Sequence, residues 1–224
     1  MVKPTELHAE PEKLLKVYQA LYECYGPQNW WPAETAFEVM VGAILTQNTN
    51  WNNVEKAIHQ LKKNAALSPE KILHLEHDEL ALMIKSSGYF NLKAQRLKNY
   101  SQWYLQRAGF DILQLTDTAE LRLDLLGVNG IGPETADDIL LYAFQRPVFV
   151  IDVYTRRLFS HMEFISGKES YEVLRQWFES SLPADTELFN QYHALIVRHA
   201  KERCQASSHY SHWTIDKMRK NSII

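Results

Sequence analysis

The sequence predicts an all-α fold, and three observations support this. Apolar residues recur at helical spacing through almost all of the 224 residues, in about ten segments joined by short connections. The one Asn-Gly pair, Asn129-Gly130, stands between two helical patterns rather than between alternating strands. The run 147–151 is typical of a strand but is too short to make a sheet by itself.

The helical segments begin with recognisable signals. Asn50, Ser68 and either Thr116 or Asp117 are typical N-cap residues, and Pro69 fits the first turn of a helix. The segment 35–46 is apolar enough to be a buried helix. The pattern predicts helices over 11–25, 35–46, 50–63, 68–75, 77–85, 91–107, 116–126, 133–144, 152–162, 169–181 and 185–203.

Composition and charge exclude several classes of protein. Apolar residues make up 46% and charged residues 23% of the chain, which is ordinary for a globular protein that needs no disulfides to bury a core. The net charge of −3 names no partner. No apolar run approaches the ~18 residues of a membrane span, and the N-terminus does not resemble a secretion signal. With Cys24 and Cys204 as the only cysteines, we expect a cytoplasmic protein in a reducing compartment.

A basic stretch interrupts this balance. Residues 85–107 carry a local charge of +5 and no acid, and aromatic residues are interleaved with the cations. The pattern fits a surface for a polyanion that also offers bases to stack on. On charge alone, a solvated helix face whose aromatic rings point into a core fits the pattern better.

The segment 125–144 predicts a hairpin between two helices. Gly130 and Gly132 suit a backbone that turns sharply or approaches a ligand, and Pro133 fits the first turn of the second helix. Their free amides would form an anion site at a helix N-terminus, which a DNA phosphate can fill without any reading of base sequence. The alternative is a tight turn that binds nothing.

This hairpin and three further segments resemble the helix-hairpin-helix DNA glycosylases of the endonuclease III superfamily. Residues 128–136, VNGIGPETA, resemble the family hairpin L-P-G-V-G-x-K-T-A, and residues 150–157, VIDVYTRR, resemble its V-D-T-H-V-x-R segment. Residues 44–49, ILTQNT, and 88–94, GYFNLKA, resemble L-S-x-Q-x-T and G-x-Y-N-x-K-A. The four matches occur in the family's order and span roughly residues 35–204.

The resemblance implies two helical domains with the active site in the cleft between them. Residues 35–145 would form a central bundle that carries the hairpin, and residues 1–34 and 146–224 would form the second domain. It also implies a DNA-associated monomer that acts on double-stranded DNA with damaged bases in base excision repair.

Two residues define the implied chemistry. Asp152 matches the family's essential carboxylate, which would stabilise an oxocarbenium-like transition state and orient water, although an aspartate here could also serve only as a helix cap. Glu134 stands where lyase-active members carry a lysine that forms a Schiff base. Since a glutamate cannot form an imine, the resemblance implies a monofunctional glycosylase without lyase activity.

Other matched residues are implied to bind DNA. Gln47 matches a residue that fills the gap left by an extruded base, and Tyr89 matches one that wedges into the opposite strand, which would offset part of the cost of unstacking. The hairpin glycines Gly130 and Gly132 would contact phosphate. Three further residues are expected to be structural neighbours or phosphate contacts: Asn91, Lys93 and Thr135.

The base pocket is the least specific part of the resemblance. Trp30, Trp31 and Trp51 are candidates to stack on a base, and a cationic alkylated purine would gain cation–π attraction there. Together with the hairpin glutamate, the Trp-Trp-Pro segment resembles the endonuclease III-like 3-methyladenine DNA glycosylases. The tryptophans could instead be core residues. A mismatch glycosylase for thymine, uracil or adenine, and a non-catalytic DNA-binding protein, remain alternatives.

No cofactor is expected. Cys204 matches the first cysteine of the family's iron–sulfur motif, but Ser211, Thr214 and Lys220 occupy the next three positions, and such a cluster needs four thiolates. His209 and His212 with Cys204 do not have the spacing of a structural zinc site. The resemblance leaves open an alkali cation bound by hairpin carbonyls.

Overall fold

The computed structural model describes residues 11–205, and over this range it is helical without a strand. It contains twelve α-helices, a 3-10 turn at Lys85–Ser87 and a π-helical segment at Ile139–Ala143. The helices are α1 Pro11–Tyr25, α2 Ala36–Thr46, α3 Trp51–Lys63, α4 Pro69–His74, α5 His77–Met83, α6 Phe90–Gln106, α7 Phe110–Leu115, α8 Thr118–Leu126, α9 Pro133–Asp138, α10 Val153–His161, α11 Tyr171–Ser181 and α12 Thr186–Gln205. The predicted all-α fold is confirmed. None of the helices in this range is long and apolar enough to cross a lipid bilayer.

The predicted N-caps are confirmed by their hydrogen bonds. The side chain of Asn50 accepts from the Asn53 N–H, that of Ser68 from the Lys71 N–H, and that of Asp117 from the Ala119 and Glu120 N–H groups. Each bond satisfies backbone donors that have no partner within the first turn of a helix.

Two segments differ from the expected pattern. The short helix α7 was not expected, because its apolar residues Ile112 and Leu115 are exposed and give it no amphipathic face. The expected helix 133–144 becomes π-helical at Ile139, and a change from i+4 to i+5 hydrogen bonding leaves no mark in the apolar pattern of a segment that is buried all round.

The apolar run 147–151 forms neither helix nor strand in the described residues, and all of it except Pro147 is buried. Side chains of α11 take the place of a partner strand. The Phe149 N–H donates to Glu179 Oε1 at 3.0 Å, and the Ile151 N–H donates to the Tyr171 hydroxyl at 3.4 Å. The Phe149 ring stacks on Phe178 with ring centroids 4.1 Å apart. The run is therefore a buried lead-in that sets the position of the next residue, Asp152.

The chain divides into two compact units. One takes the residues up to Trp30 and those from Pro147 onward, and the other spans Trp31–Arg146. In the first unit α12 packs against both α1 and α10, and the Tyr192 hydroxyl donates to the Leu14 carbonyl at 2.8 Å. In the second unit the buried helix α2 packs against α3, α6 and α9. The sequence analysis placed these two boundaries after residues 34 and 145, and the predicted cleft stays a prediction.

Part of the basic stretch 85–107 is buried. Tyr100 and Tyr104 are buried, which favours the core interpretation for those rings. The Lys98 ammonium donates to the Leu75 carbonyl, and Arg107 pairs with Asp124 at 2.7 Å. These two cations stabilise neighbouring helices.

Candidate active site

Asp152 caps the N-terminus of α10. Its Oδ1 accepts a hydrogen bond from the Thr155 N–H at 2.7 Å, and its Oδ2 lies 3.6 Å from Nε2 of His193 on α12. Only 8% of the residue is exposed. The capping hydrogen bond explains why an aspartate suits this position. It uses only Oδ1, and Oδ2 of Asp152 faces His193.

Electrostatics keep this carboxylate ionised. Burial alone would raise the pKa of Asp152, but the His193 ring and the Thr155 N–H favour the anion and lower the pKa below its ordinary value of 3.8 overall. The positive end of the α10 dipole acts in the same direction. A buried carboxylate that is anionic at neutral pH is suited to stabilising positive charge that develops on a sugar ring.

Sequence reasoning missed His193. The residue lies in the middle of a helical pattern with no motif of its own, and its contact with Asp152 depends on the packing of α10 against α12. No spacing along the chain could have indicated this pair.

Of the two glycines Gly130 and Gly132 in the hairpin between α8 and α9, the fold requires only one. Gly130 has φ +100°, and a Cβ there would overlap Cγ of Arg96. Gly132 has an ordinary φ of −94°, and no atom lies within 4 Å of where its Cβ would be. The fold therefore explains Gly130, whereas the open space at Gly132 is free for an approaching ligand. Glu134 lies in the first turn of α9.

The structure brings Gln47 together with this hairpin. Gln47 follows the last turn of α2, and its Nε2 donates to the Gly130 carbonyl at 3.1 Å and to Thr135 Oγ1 at 2.9 Å. Its Oε1 accepts from Nη1 of Arg96. Gln47 of one matched segment therefore meets Gly130 and Thr135 of another in one hydrogen-bonded group.

Tyr89 and Lys93 have opposite surroundings. Tyr89 has a left-handed backbone with φ +46° and is 68% exposed just before α6. Lys93 is 1% exposed, and its Nζ donates to the carbonyls of Leu45 at 2.9 Å and Ser87 at 2.6 Å. Burial and the neighbouring Arg96 charge lower the pKa of Lys93 from 10.5 to about 8. Of its two expected roles, burial favours the structural one over phosphate contact.

Two of the three candidate pocket tryptophans meet. The Trp31 and Trp51 rings pack edge to face with centroids 5.1 Å apart, and Tyr142 of the π-helical segment lies 5.2 Å from Trp31. Gly42 makes room for this, since a Cβ there would lie 2.9 Å from Cζ2 of Trp31. Tyr142 was missed because it lies in a uniformly apolar pattern.

Trp30 belongs to the other unit, where the Lys201 ammonium lies 5.7 Å from the centroid of its ring.

Among the described residues, no group of three or more His, Cys, Asp or Glu side chains could hold a metal ion. Several positions that were expected to argue against a metal or cluster have side chains outside the described part of the chain: Cys204, His209, Ser211, His212, Thr214 and Lys220. The predicted absence of an iron–sulfur cluster thus rests on the sequence, whose two cysteines cannot supply four thiolates.

Comparison with known proteins identifies the family. The model of the HhH-GPD superfamily of base excision DNA repair proteins matches residues 41–184. A putative DNA repair glycosylase of Methanocaldococcus jannaschii is 49% identical over 197 residues, which cover 87% of this chain and 90% of the relative. Endonuclease III of Sulfolobus acidocaldarius is 27% identical over 171 residues, which cover 76% and 74%.

Solved structures of DNA glycosylases and of endonuclease III have the same fold as this chain. The 3-methyladenine DNA glycosylase MagIII of H. pylori, bound to 1,N6-ethenoadenine, superposes with a TM-score of 0.75 at 29% identity, covering 88% of this chain and 99% of that one. An endonuclease III–DNA complex shares the fold, with a TM-score of 0.76 at 16% identity over 95% of this chain and all of that one. The chain belongs to the HhH-GPD superfamily of base excision DNA repair proteins. Within base excision repair, the protein is a DNA glycosylase of the HhH-GPD/endonuclease III superfamily, and DNA is its partner.

Gly130 and Gly132 of the hairpin make a matched pair for a stability test. We expect Gly130→Ala to lower the free energy of unfolding by about 2–3 kcal/mol, because the methyl group combines a left-handed backbone with overlap against Arg96. Gly132→Ala should change it by less than about 1 kcal/mol, since its backbone is ordinary and the space is open. Urea denaturation measures both values.

The same two variants distinguish an effect on stability from an effect on DNA binding. If a phosphate approaches the Gly132 amide, Gly132→Ala weakens DNA binding in a titration although the protein stays folded. Equal stability losses for the two variants would contradict the assignment of Gly130 as the structural glycine.

Proposed function

We propose that the protein is a monofunctional DNA glycosylase for alkylated purines such as 3-methyladenine, with Asp152 as its catalytic carboxylate. The observation that carries this proposal is the buried carboxylate of Asp152 at the start of α10, 3.6 Å from His193, in a chain that has Glu134 where lyase-active relatives have a lysine. The proposed enzyme acts as a monomer and uses no iron–sulfur cluster.

The proposed reaction is a hydrolysis. The bond from C1′ to the base nitrogen breaks, its electron pair leaves with the base, and positive charge develops on the sugar. Asp152 stabilises that charge and orients a water whose oxygen bonds to C1′ and whose proton is released. The products are a free base and an abasic site in an unbroken strand.

Glu134 supports the monofunctional assignment. A lyase forms an imine between an amine and C1′ before the strand is cleaved. A carboxylate cannot form that bond, and in the first turn of α9 it is favoured by the helix dipole.

The aromatic group of Trp31, Trp51 and Tyr142 supports the choice of substrate. Alkylation of a ring nitrogen makes a purine cationic, and a cation over an indole face gains about 0.5–2 kcal/mol. Such a base is also an activated leaving group that needs little protonation. The H. pylori relative, 29% identical, is named a 3-methyladenine DNA glycosylase and binds 1,N6-ethenoadenine.

Gln47 and Tyr89 support base extrusion in this proposal. A polar side chain beside the hairpin is suited to occupying the place of an extruded base, and an exposed ring on a left-handed turn is suited to wedging between bases. The exposed Gly132 amide would contact a phosphate.

The first prediction concerns catalysis. Asp152→Asn keeps the cap of α10, because asparagine is an equally good N-cap, but it removes the negative charge. We expect base release to fall by at least about 100-fold, as for the loss of a group that stabilises transition-state charge, while DNA binding is kept or improved. Single-turnover assays and a binding titration measure the two effects.

Asp117→Asn is the matched control, since Asp117 is the exposed N-cap of α8. It should release bases at the unmodified rate. Base release by Asp152→Asn at the normal rate would show that another group carries the reaction.

A further prediction concerns the lysine amine that is absent at position 134. Borohydride should trap no covalent complex between the unmodified protein and abasic DNA, because no lysine stands at position 134. Glu134→Lys should introduce trapping, and Glu134→Gln should not. A trapped complex of the unmodified protein at a level comparable to Glu134→Lys would contradict the monofunctional assignment.

A further inference from the structure

The first turns of α6 hold together segments that come from three parts of the chain. We call these the extrusion segments: residues 45–49 at the end of α2 and just after it, residues 87–89 before α6, and the hairpin 127–132. In the proposed function they carry Gln47, Tyr89 and the phosphate-binding amides. All three lie in the unit Trp31–Arg146.

Lys93 connects the first two extrusion segments. Its ammonium donates to the Leu45 carbonyl, two residues before Gln47, and to the Ser87 carbonyl, two residues before Tyr89. Both carbonyls lie where a helical segment ends and would otherwise lack an intrahelical partner. Since a buried cation is costly unless its donors are satisfied, the two loops and the lysine stabilise one another.

Arg96, one turn further along α6, connects the first and third segments. Its guanidinium donates to Gln47 Oε1, and its aliphatic part lies over Gly130 so closely that only glycine fits there. Asn99, a turn later, donates from Nδ2 to the Asn129 carbonyl at 3.1 Å. The hairpin is therefore held against α6 by two successive turns.

Arg96 also sets the orientation of the Gln47 amide. A guanidinium has donors only, so Oε1 must face it and the amide NH₂ must face the Gly130 carbonyl and Thr135 Oγ1. The Gly130 carbonyl, which can only accept, requires the same orientation, so without Arg96 the amide would be held through its NH₂ group alone and its Oε1 would lose its donor. The side chain proposed to replace an extruded base is thus held in one conformation before DNA arrives.

We propose that Lys93 and Arg96 are positioning residues for base extrusion, which fix the three extrusion segments as one rigid surface in the free protein. This inference rests on the proposed roles of Gln47 and Tyr89 and concerns how they are held. Neither cation needs to touch DNA. The energy of DNA binding then goes into unstacking the base rather than into ordering the loops that fill its place.

The test separates extrusion from the chemistry that follows. Arg96→Met keeps the apolar contact over Gly130 and removes the donors to Gln47. We expect release of 3-methyladenine from a fully paired duplex to fall by about 10- to 100-fold, the size expected when a side chain and a loop must be ordered on binding. For the same base in an unpaired bulge, where little unstacking remains to be done, the loss should stay below about threefold.

Matched controls come from α6 and from the residue that follows it. Arg107→Met removes a cation that pairs with Asp124, and Lys98→Met removes a lysine that bonds the Leu75 carbonyl, and neither touches an extrusion segment. Both variants should lose little base-release activity, and equally little on paired and on bulged DNA. Lys93→Met should resemble Arg96→Met, and Arg96→Lys, which restores one donor, should recover part of the loss on paired DNA. Equal losses of Arg96→Met on paired and bulged DNA, or no loss on either, would overturn the proposal.

A second readout does not depend on which base is excised. The protein is bound to a duplex that carries a tetrahydrofuran abasic analogue opposite 2-aminopurine, whose fluorescence rises when it unstacks. The unmodified protein should raise the fluorescence at saturating protein, and Arg96→Met should raise it less than half as much, while Arg107→Met matches the unmodified protein. An unchanged rise in folded Arg96→Met, and equally in folded Arg96→Lys, would overturn the positioning role. If the unmodified protein raises fluorescence but releases no alkylated base, the proposed substrate fails and the positioning role stands.

Discussion

A buried carboxylate must stay ionised if this protein is to stabilise positive charge on a sugar, and the start of α10 is built to allow this. Burial works against the Asp152 anion, whereas the Thr155 N–H, the His193 ring and the helix dipole work for it. The run 147–151 brings the chain to this point, and the N–H groups of Phe149 and Ile151 donate to side chains of α11. The packing of this unit and its chemistry therefore depend on the same few hydrogen bonds.

The other unit solves a different problem, which is to hold exposed loops in fixed positions without the support of a sheet. The buried Lys93 and the half-buried Arg96 do this here. Lys93 and Arg96 turn what looks like a DNA-binding basic stretch into a set of internal hydrogen bonds to backbone carbonyls and to Gln47. The positive charges of Lys93 and Arg96 bind groups of the protein itself. The net charge of the chain therefore indicates little about its partner.

Sequence and structure agree where the signal is local. Helix caps such as Asn50 and Asp117, the hairpin with Gly130, and the matched segment around Asp152 all depend on neighbours within a few residues, so they could be predicted. His193 and Tyr142 could not, because each meets its partner only through helix packing. The burial of Lys93 was equally hidden, since a lysine pointing inward and one pointing outward leave the same apolar pattern around them.

The identity of the released base tests the central claim most directly. The protein is incubated with methylated genomic DNA and, in parallel, with duplexes carrying thymine or uracil mismatches, and the free bases are identified by mass spectrometry. Our account predicts release of 3-methyladenine, with strands that stay intact until alkali is added. Release of thymine or uracil without any methylated base would contradict the alkylated-purine assignment, and binding without release of any base would contradict the catalytic role of Asp152.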